Sequence, residues 1–290
     1  MGFTGLDDLV LQVSTNGKQK RIPFHRIIQT GATSVAGRWH ECFTTASGTG
    51  GTGVLTGTAG SGTAMTAAKA GALPIGPSVS PATRHVQRLT IYTPATTAVP
   101  GNVKLIDILY MYPSCTTLTT PTTLAQTEAK PTRMTANYSD IQIGAIVTAA
   151  TGAANPLLTV TYTDQAGNTG KTATLAASAN TMPVGSMLTA SGAAVLGMPN
   201  AAHPVGVSGV QKIDSYAITS GSIAGTVCFI LYREVASIPV LAANTASERD
   251  LNFDLPKIDD DACLTMIVQP GGALVASSVL AGELTTVWGG

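Results

Sequence analysis

Short runs in which apolar and polar residues alternate dominate the chain from residue 84 onward. Val, Ile, Thr and Tyr are frequent inside the runs, and breakers such as Pro100-Gly101 and Asn155-Pro156 separate them. Alternation with a period of two between turn residues is typical of strands with one buried face. The pattern predicts strands near residues 84–93, 103–112, 141–148, 157–163, 171–177, 206–218, 223–233, 248–255, 262–269 and 274–287.

The first 45 residues follow a different pattern. Apolar residues at positions 6, 9, 10 and 13 have helical spacing and predict a short amphipathic helix that ends near Asn16-Gly17. Farther along, the alternation of Trp39, Glu41 and Phe43 predicts an extended segment with one buried face. We therefore interpret residues 1–45 as a helix followed by an extended arm.

Gly, Thr, Ser and Ala make up most of residues 44–81, and almost no large side chain lies among them. Ordering such a segment costs much conformational entropy and buries little apolar area in return. We therefore predict a loop or linker over residues 46–83 that only a partner would order, followed by a β domain over residues 84–290.

Many short strands separated by turns over about 200 residues are typical of an antiparallel sandwich or jelly roll. The predicted fold class is therefore mainly β. We expect an antiparallel β-sandwich or jelly roll with an extended N-terminal arm and a short N-terminal helix.

Charged residues are scarce in this chain. Asp, Glu, Lys and Arg form 11% of the 290 residues, and the formal net charge is zero, whereas soluble domains average about 25% charged residues. A surface poor in charge can pack broadly against other protein without desolvating many ions. The composition therefore favours an assembly subunit, and the balanced charge argues against direct binding of nucleic acid.

Sequence motifs for catalysis or metal binding are absent: there is no GxSxG, HExxH or CxxC. Gly170-Lys171-Thr172 matches the end of a nucleotide-binding loop, but Gln165 stands where that motif needs glycine, and a β-hairpin explains the stretch. The acidic run at 259–261 is interpreted as a solvated turn. We therefore predict no enzyme, and no catalytic, cofactor-binding or metal-ligating residue.

The four cysteines are widely spaced, and two of them lie inside apolar strand patterns. This spacing fits neither a disulfide framework nor a zinc site. They are interpreted as small buried hydrophobic residues.

Three stretches carry a further indication: SVAGRWHECFTTASGTGGTG from residue 34, GVSGVQKIDSYAITSGSIAGTVCFILYREVASIPV from residue 206 and ASERDLNFDLPKIDDDACLTMIVQPGGA from residue 246. The chain resembles virion structural proteins of tailed bacteriophages in these stretches. The resemblance implies a capsid-associated protein, such as a decoration or cement subunit, built around a β-sandwich and assembled into a symmetric oligomer such as a homotrimer.

The same resemblance implies the partners and the location. We expect the chain to contact copies of itself and the major capsid protein or other virion proteins, with no membrane involved. It would be part of the virion, which assembles in the host cytoplasm.

In this interpretation the N-terminal arm wraps a neighbouring subunit and gains buried area as it orders. Large aromatic side chains concentrate contact energy at interfaces, so the predicted interface anchors are Phe24, Trp39 and Phe43. Deletion of residues 1–45 is then expected to leave the β domain folded but unable to join the particle.

Two other functions remain open. A receptor- or carbohydrate-binding module of a tail fibre or head fibre would need an aromatic platform, but only 5% of the residues are aromatic and Trp39 and Trp288 lie near opposite ends of the chain. A virion-borne polysaccharide hydrolase would need two carboxylates facing each other across a groove. No spacing singles out such a pair among Asp107, Glu128, Asp214, Glu234, Glu248, Asp250 and Asp254.

Overall fold

The computed structural model describes residues 3–28, 37–45, 48–94, 101–116, 120–152, 157–177, 181–190, 199–201, 203–220, 225–252, 254–273 and 278–289. The helices are α1 (Leu6–Ser14) and α2 (Thr132–Thr135). The strands are β1 (Gln19–Ile27), β2 (His40–Glu41), β3 (Ser61–Ala64), β4 (Thr83–Tyr92), β5 (Gly101–Thr116), β6 (Thr122–Thr123), β7 (Ala125–Gln126), β8 (Gln142–Ala149), β9 (Leu157–Asp164), β10 (Lys171–Ala176), β11 (Thr189–Ala190), β12 (Val210–Ser220), β13 (Thr226–Val240), β14 (Ser247–Asp250), β15 (Lys257–Ile258), β16 (Leu264–Pro270) and β17 (Val279–Gly289).

The predicted fold class is confirmed: the protein is mainly β, with several antiparallel sheets in a sandwich-like arrangement and a short N-terminal helix. The predicted strands agree with observed ones to within a few residues at most ends. The predicted 248–255 strand corresponds to β14, which ends at Asp250, and β15 lies beyond its predicted end. The predicted hairpin is formed by β9 and β10. Its turn is held by the Asp164 carboxylate, which accepts hydrogen bonds from the backbone N–H groups of Ala166 and Asn168.

The two longest strands, β5 and β13, pair along their lengths in the middle of a seven-stranded sheet. Its strand order is β2-β16-β5-β13-β8. On the same side of β5 as β16, β3 pairs with residues 110 and 111 of β5, and β7 pairs with β3. We call this the central sheet. Residues 103–113 of β5 are all buried, as expected for a strand covered on both faces.

Two smaller sheets cover different halves of one face of the central sheet. The first outer sheet has the order β1-β17-β4-β14, with β15 also paired to β4, and the second has the order β11-β10-β9-β12-β6. On β5, Val103 and Leu105 belong to the core under the first outer sheet, while Tyr110 and Tyr112 belong to the core under the second. A register shift at Leu109 keeps both pairs on the same face. The long strands therefore join two sandwich cores.

The opposite face of the central sheet has a third apolar cluster. Ile106 and Ile108 of β5 and Ile230 of β13 contribute to it, together with residues from the N-terminal third of the chain such as Phe43 and Met65. In the described ranges, chain segments rather than a third sheet cover this face.

The predicted N-terminal arm is, over residues 19–27, a strand of the first outer sheet. β1 pairs with β17 from Gln19 opposite Val287 to Ile27 opposite Val279. Its Ile22 and Phe24 side chains are buried in the core under that sheet.

Prolines and polar caps protect the free strand edges. β1 forms one edge of the first outer sheet, and Pro23 has no N–H to offer a further strand. In the central sheet, β13 has no β8 partner beyond Tyr232; there the Ser237 carbonyl accepts a hydrogen bond from Arg249, and Pro239 again lacks an N–H. Such edges resist pairing with another chain.

The position of β1 leads to a test by truncation. Deletion of residues 1–28 removes Ile22 and Phe24 from the core, and burial of each such side chain stabilises a protein by about 1.5–3 kcal/mol. We expect this variant to be insoluble or to lose cooperative thermal unfolding, measured by circular dichroism. Deletion of residues 1–16 removes α1 and the Phe3 contact with His85 but leaves β1 in place, and this control should unfold cooperatively. Equal melting temperatures for the two variants would contradict the structural role of β1.

Candidate functional site

Residues 48–77, which we call the cover segment, cross the face of the central sheet opposite the two outer sheets and include its strand β3. Leu55, Met65 and Ala72 are buried in the cluster on that face, and Leu73 and Ile75 reach the core under the first outer sheet. The segment thus packs on the chain itself, whereas the sequence predicted a loop that only a partner would order.

Glycine allows this segment to lie directly on aromatic rings. A Cβ atom at Gly53 would come within 2.3 Å of the Phe43 ring, and one at Gly62 would come within 2.3 Å of the Tyr110 ring. Both rings are fully buried. A larger residue at either position would push the backbone off the sheet.

Such a flat segment buries backbone carbonyls, and a buried carbonyl without a hydrogen bond is costly. Three buried arginines, Arg26, Arg84 and Arg133, donate to these carbonyls. They come from β1, β4 and α2, and they hold the cover segment near its beginning, end and middle, respectively.

Arg26 holds the beginning. It is completely buried, and its Nη1 donates to the carbonyls of Thr49 at 2.5 Å and Gly51 at 3.2 Å, while Nη2 donates to that of Phe43 at 3.1 Å. Burial lowers the pKa of Arg26, and the nearby Glu41 carboxylate opposes this effect.

Arg84 holds the end of the cover segment. Its Nη1 donates to the Ile75 carbonyl at 2.8 Å and its Nη2 to the Pro77 carbonyl at 2.6 Å. The guanidinium carbon lies 5.6 Å from the centre of the Trp288 ring, and Nε lies 3.4 Å from a carboxylate oxygen of Asp260. The same carboxylate accepts hydrogen bonds from the Ser78 hydroxyl and from the Val79 backbone N–H, which directly follow the cover segment.

Arg133 holds the middle and makes the largest set of contacts. It binds Asp107 with two hydrogen bonds, from Nε at 2.8 Å and from Nη2 at 3.1 Å. Nη1 lies 2.8 Å from Asp261, and Nη2 also donates to the carbonyls of Met65 at 2.6 Å and Ile108 at 3.1 Å. The Arg133 side chain is 1% exposed.

This guanidinium fills a gap in the edge of the central sheet. On that side of β5, β16 pairs with residues 101–107 and β3 with residues 110 and 111. Between them the Ile108 carbonyl accepts from Arg133 instead of from a strand. The gap lies between the residues of β5 that contribute to the two sandwich cores, so the ion pair sits where the cores meet.

Burial raises the pKa of Asp107, and the hydrogen bonds and charge of Arg133 oppose this increase. Burial alone would lower the pKa of Arg133, but its hydrogen bonds to Asp107 and the negative charges of Asp107 and Asp261 raise it. Asp107 also accepts a hydrogen bond from the Cys263 backbone N–H at 2.8 Å. The guanidinium therefore stays charged and fully partnered.

Two cavities open beside the cover segment, on either side of the exposed Val54. One, of about 270 Å³, is lined by apolar residues such as Leu55 and Ile146 and by the buried Glu41. The other, of about 290 Å³, is lined mainly by Phe43, Met65 and Met111. Burial raises the pKa of Glu41, although hydrogen bonds from Thr44 and Phe43 and the charge of Arg26 oppose the increase.

The cysteines are chemically unreactive in this environment. All four are buried, and none of them forms a disulfide. Burial raises the pKa of Cys115 and of Cys263 to about 12, and it also raises the pKa of Cys42 and Cys228. The thiols therefore remain protonated near neutral pH, as expected for small core residues.

The three predicted interface anchors lie inside the chain's own cores. Phe24 is 4% exposed under the first outer sheet, and Trp39 and Phe43 are 3% and 0% exposed in the cluster on the opposite face. Trp39 also lies beneath the Lys104 ammonium group, 5.6 Å from the ring centre. In this fold, these three side chains have almost no accessible surface that a neighbouring subunit could contact.

The carboxylates considered for a hydrolase are dispersed, and most of them have their own partners. Ion pairs join Asp107 to Arg133, Asp214 to Lys212, Glu234 to Lys104 and Glu248 to Arg88. Glu128 accepts from the Ala64 backbone, and Asp250 accepts from Asn252. For Asp254 the structure shows an exposed residue in a turn.

Sequence reasoning missed the arginine contacts. The sequence analysis interpreted residues 259–261 as a solvated turn, but Asp260 contacts Arg84 and Asp261 contacts Arg133, and it gave no role to Arg26, which is buried. A usable signal existed in β1: Ile22, Phe24 and Arg26 share one strand face by alternation, so the arginine lies on the buried face.

Comparisons of the chain with protein-family models, with curated proteins and with solved structures find no match. Within the described ranges, no group of three or more His, Cys, Asp or Glu residues is placed to hold a metal ion. In the same part of the chain, no helix has the length and apolar character needed to cross a membrane.

The Arg133–Asp107 pair leads to a stability prediction. Arg133→Met leaves a buried carboxylate and two carbonyls without their donor, and breaking a buried pair in this way costs about 3–5 kcal/mol. The free energy of unfolding in urea should fall by that amount. Lys257→Met is the matched control because the Lys257–Asp259 pair is exposed, and its effect should stay below about 1 kcal/mol. Similar losses for both variants would contradict the anchoring role.

The Asp260 contacts lead to a prediction about pH. Partial burial alone would raise the pKa of Asp260, but the hydrogen bonds from Ser78 and Val79 and the charge of Arg84 lower it below 3.8. A lowered pKa stabilises the fold above the unfolded-state value, and this stabilisation is lost as the pH falls through the folded-state value.

We therefore expect Asp260→Asn to unfold at lower urea concentration than the wild type at pH 7, with the difference shrinking below pH 4. Asp254→Asn, at an exposed position, is the control and should change the unfolding midpoint little at either pH. A wild-type advantage over Asp260→Asn that is constant between pH 7 and pH 3 would contradict the assigned charge interaction.

Proposed function

We propose that this chain is a structural subunit of a bacteriophage particle, a decoration or cement protein that stabilises the capsid shell through contacts between subunits. The resemblance of its terminal stretches to virion proteins of tailed bacteriophages suggests the class. The structural observation that supports it most is that more than half of the charged side chains are buried or ion-paired, which leaves few unpaired charges on the surface.

The few charged residues of the chain are largely used inside the fold or in ion pairs. Arg26, Arg84 and Arg133 are buried, and so are Glu41 and Asp107. Ten ion pairs join charged side chains among the described residues. An exterior with so little free charge is unusual for a dispersed monomer and suits extensive contact with other protein.

Four of the charged residues at the surface form a row across the first outer sheet, on the face opposite its core. Arg21 lies 3.9 Å from Glu283, Glu283 lies 3.9 Å from Arg88, and Arg88 lies 3.7 Å from Glu248. The row crosses all four paired strands, β1, β17, β4 and β14, with alternating sign. Because each charge has a neighbour of opposite sign, this face can meet water or another polar surface without net repulsion.

The fold itself suits a structural role. Two cores share the long strands β5 and β13, and a buried ion pair closes the junction between them. The protected edges favour defined side-chain contacts over open-ended strand addition. A rigid body of this kind can bridge neighbouring shell subunits.

The proposed role implies specific partners. We expect contacts with copies of the same chain, as in a homotrimer, and with the major capsid protein. The location would be the virion, and the role would require no catalysis. A fibre module that binds glycans is less well supported, because the two tryptophans are engaged: Trp39 is buried and Trp288 packs against Arg84.

Copy number in purified virions tests this proposal. Quantitative mass spectrometry with an isotope-labelled tryptic peptide of residues 89–104, measured against a peptide of the major capsid protein, should give a number of copies comparable with that of shell subunits. Virions lacking the chain should release their genome at a lower temperature than complete virions, and adding purified protein should restore the wild-type temperature. A handful of copies per virion would favour a fibre, and absence from the virion would overturn the proposal.

A further inference from the structure

Asn16 and Gly17 lie between α1 and β1 and form the one Asn-Gly dipeptide of the sequence. Both residues are exposed, and Gly17 has a positive φ of 64°. A Cβ atom on Gly17 would meet nothing within 4 Å. Within the described ranges the Gly17 N–H forms no hydrogen bond, whereas Asn16 N–H donates to Leu11 and Lys18 N–H donates to Gln12. The Gly17 nitrogen therefore lies in an exposed bend with free space around it.

This arrangement suits the reaction by which an asparagine side chain loses ammonia. The Gly17 nitrogen gives its proton to solvent and bonds to Cγ of Asn16. The side-chain amide takes up a proton and leaves as ammonia, so that the two residues share a five-membered succinimide ring. Water then opens the ring at one of its two carbonyls, which yields either aspartate or isoaspartate at position 16. In sum, one water molecule is consumed and one ammonia molecule is released.

Every other asparagine of the sequence is followed by a residue with a side chain, which hinders ring closure at the backbone nitrogen. Asn137 is the closest match to Asn16, because it is exposed and follows the end of a helix, α2. Tyr138 comes next, however, and Oδ1 of Asn137 accepts a hydrogen bond from the Ser139 backbone N–H at 2.9 Å. Asn137 is therefore an internal control for the effect of glycine.

We propose that Asn16 is a modification site: it deamidates spontaneously through the Gly17 nitrogen, and the product loosens α1 without unfolding the sheets. Water is the only other reactant, so the step requires neither an enzyme nor a cofactor. The inference concerns the chemistry of the chain itself and stands whether or not the chain is part of a virion.

The Asn16 side chain is part of a row of hydrogen bonds along α1. Its Nδ2 donates to Oε1 of Gln12 at 2.9 Å, and Nε2 of Gln12 donates to Oδ1 of Asp8 at 3.0 Å. A carboxylate at position 16 has no proton to donate, so the first of these bonds is lost. The new negative charge also lies near the C-terminal end of α1, where the helix dipole disfavours it and the last turn has no basic residue. Both effects destabilise the helix.

The sheets keep their contacts because the change occurs before β1 begins. β1 starts at Gln19, which lies opposite Val287 of β17. Next to this pair, the Trp288 N–H donates to the Lys18 carbonyl at 3.2 Å. These contacts connect β1 to β17 independently of α1. We therefore expect the loosening to be confined to the helix.

Peptide mapping of the full-length protein after incubation at several pH values tests the site. Fragment-ion spectra of tryptic peptides separate deamidation at Asn16 from that at Asn137. We expect Asn16 to react at least about ten times faster, since glycine has no side chain to hinder its nitrogen, and the rate to rise with pH because that nitrogen must lose a proton. Gly17→Ala should slow the reaction at Asn16 and leave Asn137 unchanged. Equal rates at Asn16 and Asn137 in the wild type would overturn the proposal.

Hydrogen exchange measured by mass spectrometry tests the consequence. Asn16→Asp carries the charge of the product, and Asn16→Gln, which keeps an amide, is the matched control. The backbone amides of α1 should exchange about two to five times faster in Asn16→Asp than in the control, the range that an unfavourable charge at a helix end produces. The amides of β1 should exchange at the same rate in both variants. Equal exchange of α1 in the two variants would overturn the loosening, and faster exchange of β1 in Asn16→Asp would overturn its confinement to the helix.

Discussion

The structure depends on how the buried backbone of the cover segment is satisfied. Residues 48–77 have few large side chains, so they can lie flat on the central sheet, but their carbonyls are then removed from water. Arg26, Arg84 and Arg133 supply the missing donors. A planar guanidinium offers several donors in fixed directions, so one side chain can hold two or three carbonyls at once. A segment that gains little from its own apolar area is thereby ordered.

The same arrangement connects the parts of the molecule. Arg133 joins the cover segment to β5 and to Asp261, and its pair with Asp107 lies between the two cores that β5 and β13 share. A buried ion pair is a weak source of net stability compared with an apolar contact, but losing one partner is costly. The position of this pair at the junction therefore makes the relative placement of the two cores specific.

Scarcity of charge has two consequences in this fold. The buried arginines and their acidic partners use charges that would otherwise lie at the surface, and the free strand edges are protected by Pro23, Pro239 and polar caps. The surface includes a row of alternating charges on the first outer sheet. Such a surface favours defined contacts with other subunits, in agreement with the proposed role in a virion.

The sequence by itself determined the local structure: alternation located most strands, helical spacing located α1, and turn residues located the β9–β10 hairpin. The alternation of Ile22, Phe24 and Arg26 in β1 also carried a signal that Arg26 is buried, although the sequence analysis did not use it. Only the tertiary structure decided which carbonyls the arginines bind and how Phe43 and the cover segment pack. The reason is the separation of the contacting residues along the sequence. Alternation indicates which face of a strand is buried, whereas Arg84 and Asp260 are 176 positions apart and Arg133 and Asp261 are 128 positions apart. No local pattern encodes contacts of that separation, because they exist only once the sheets have packed.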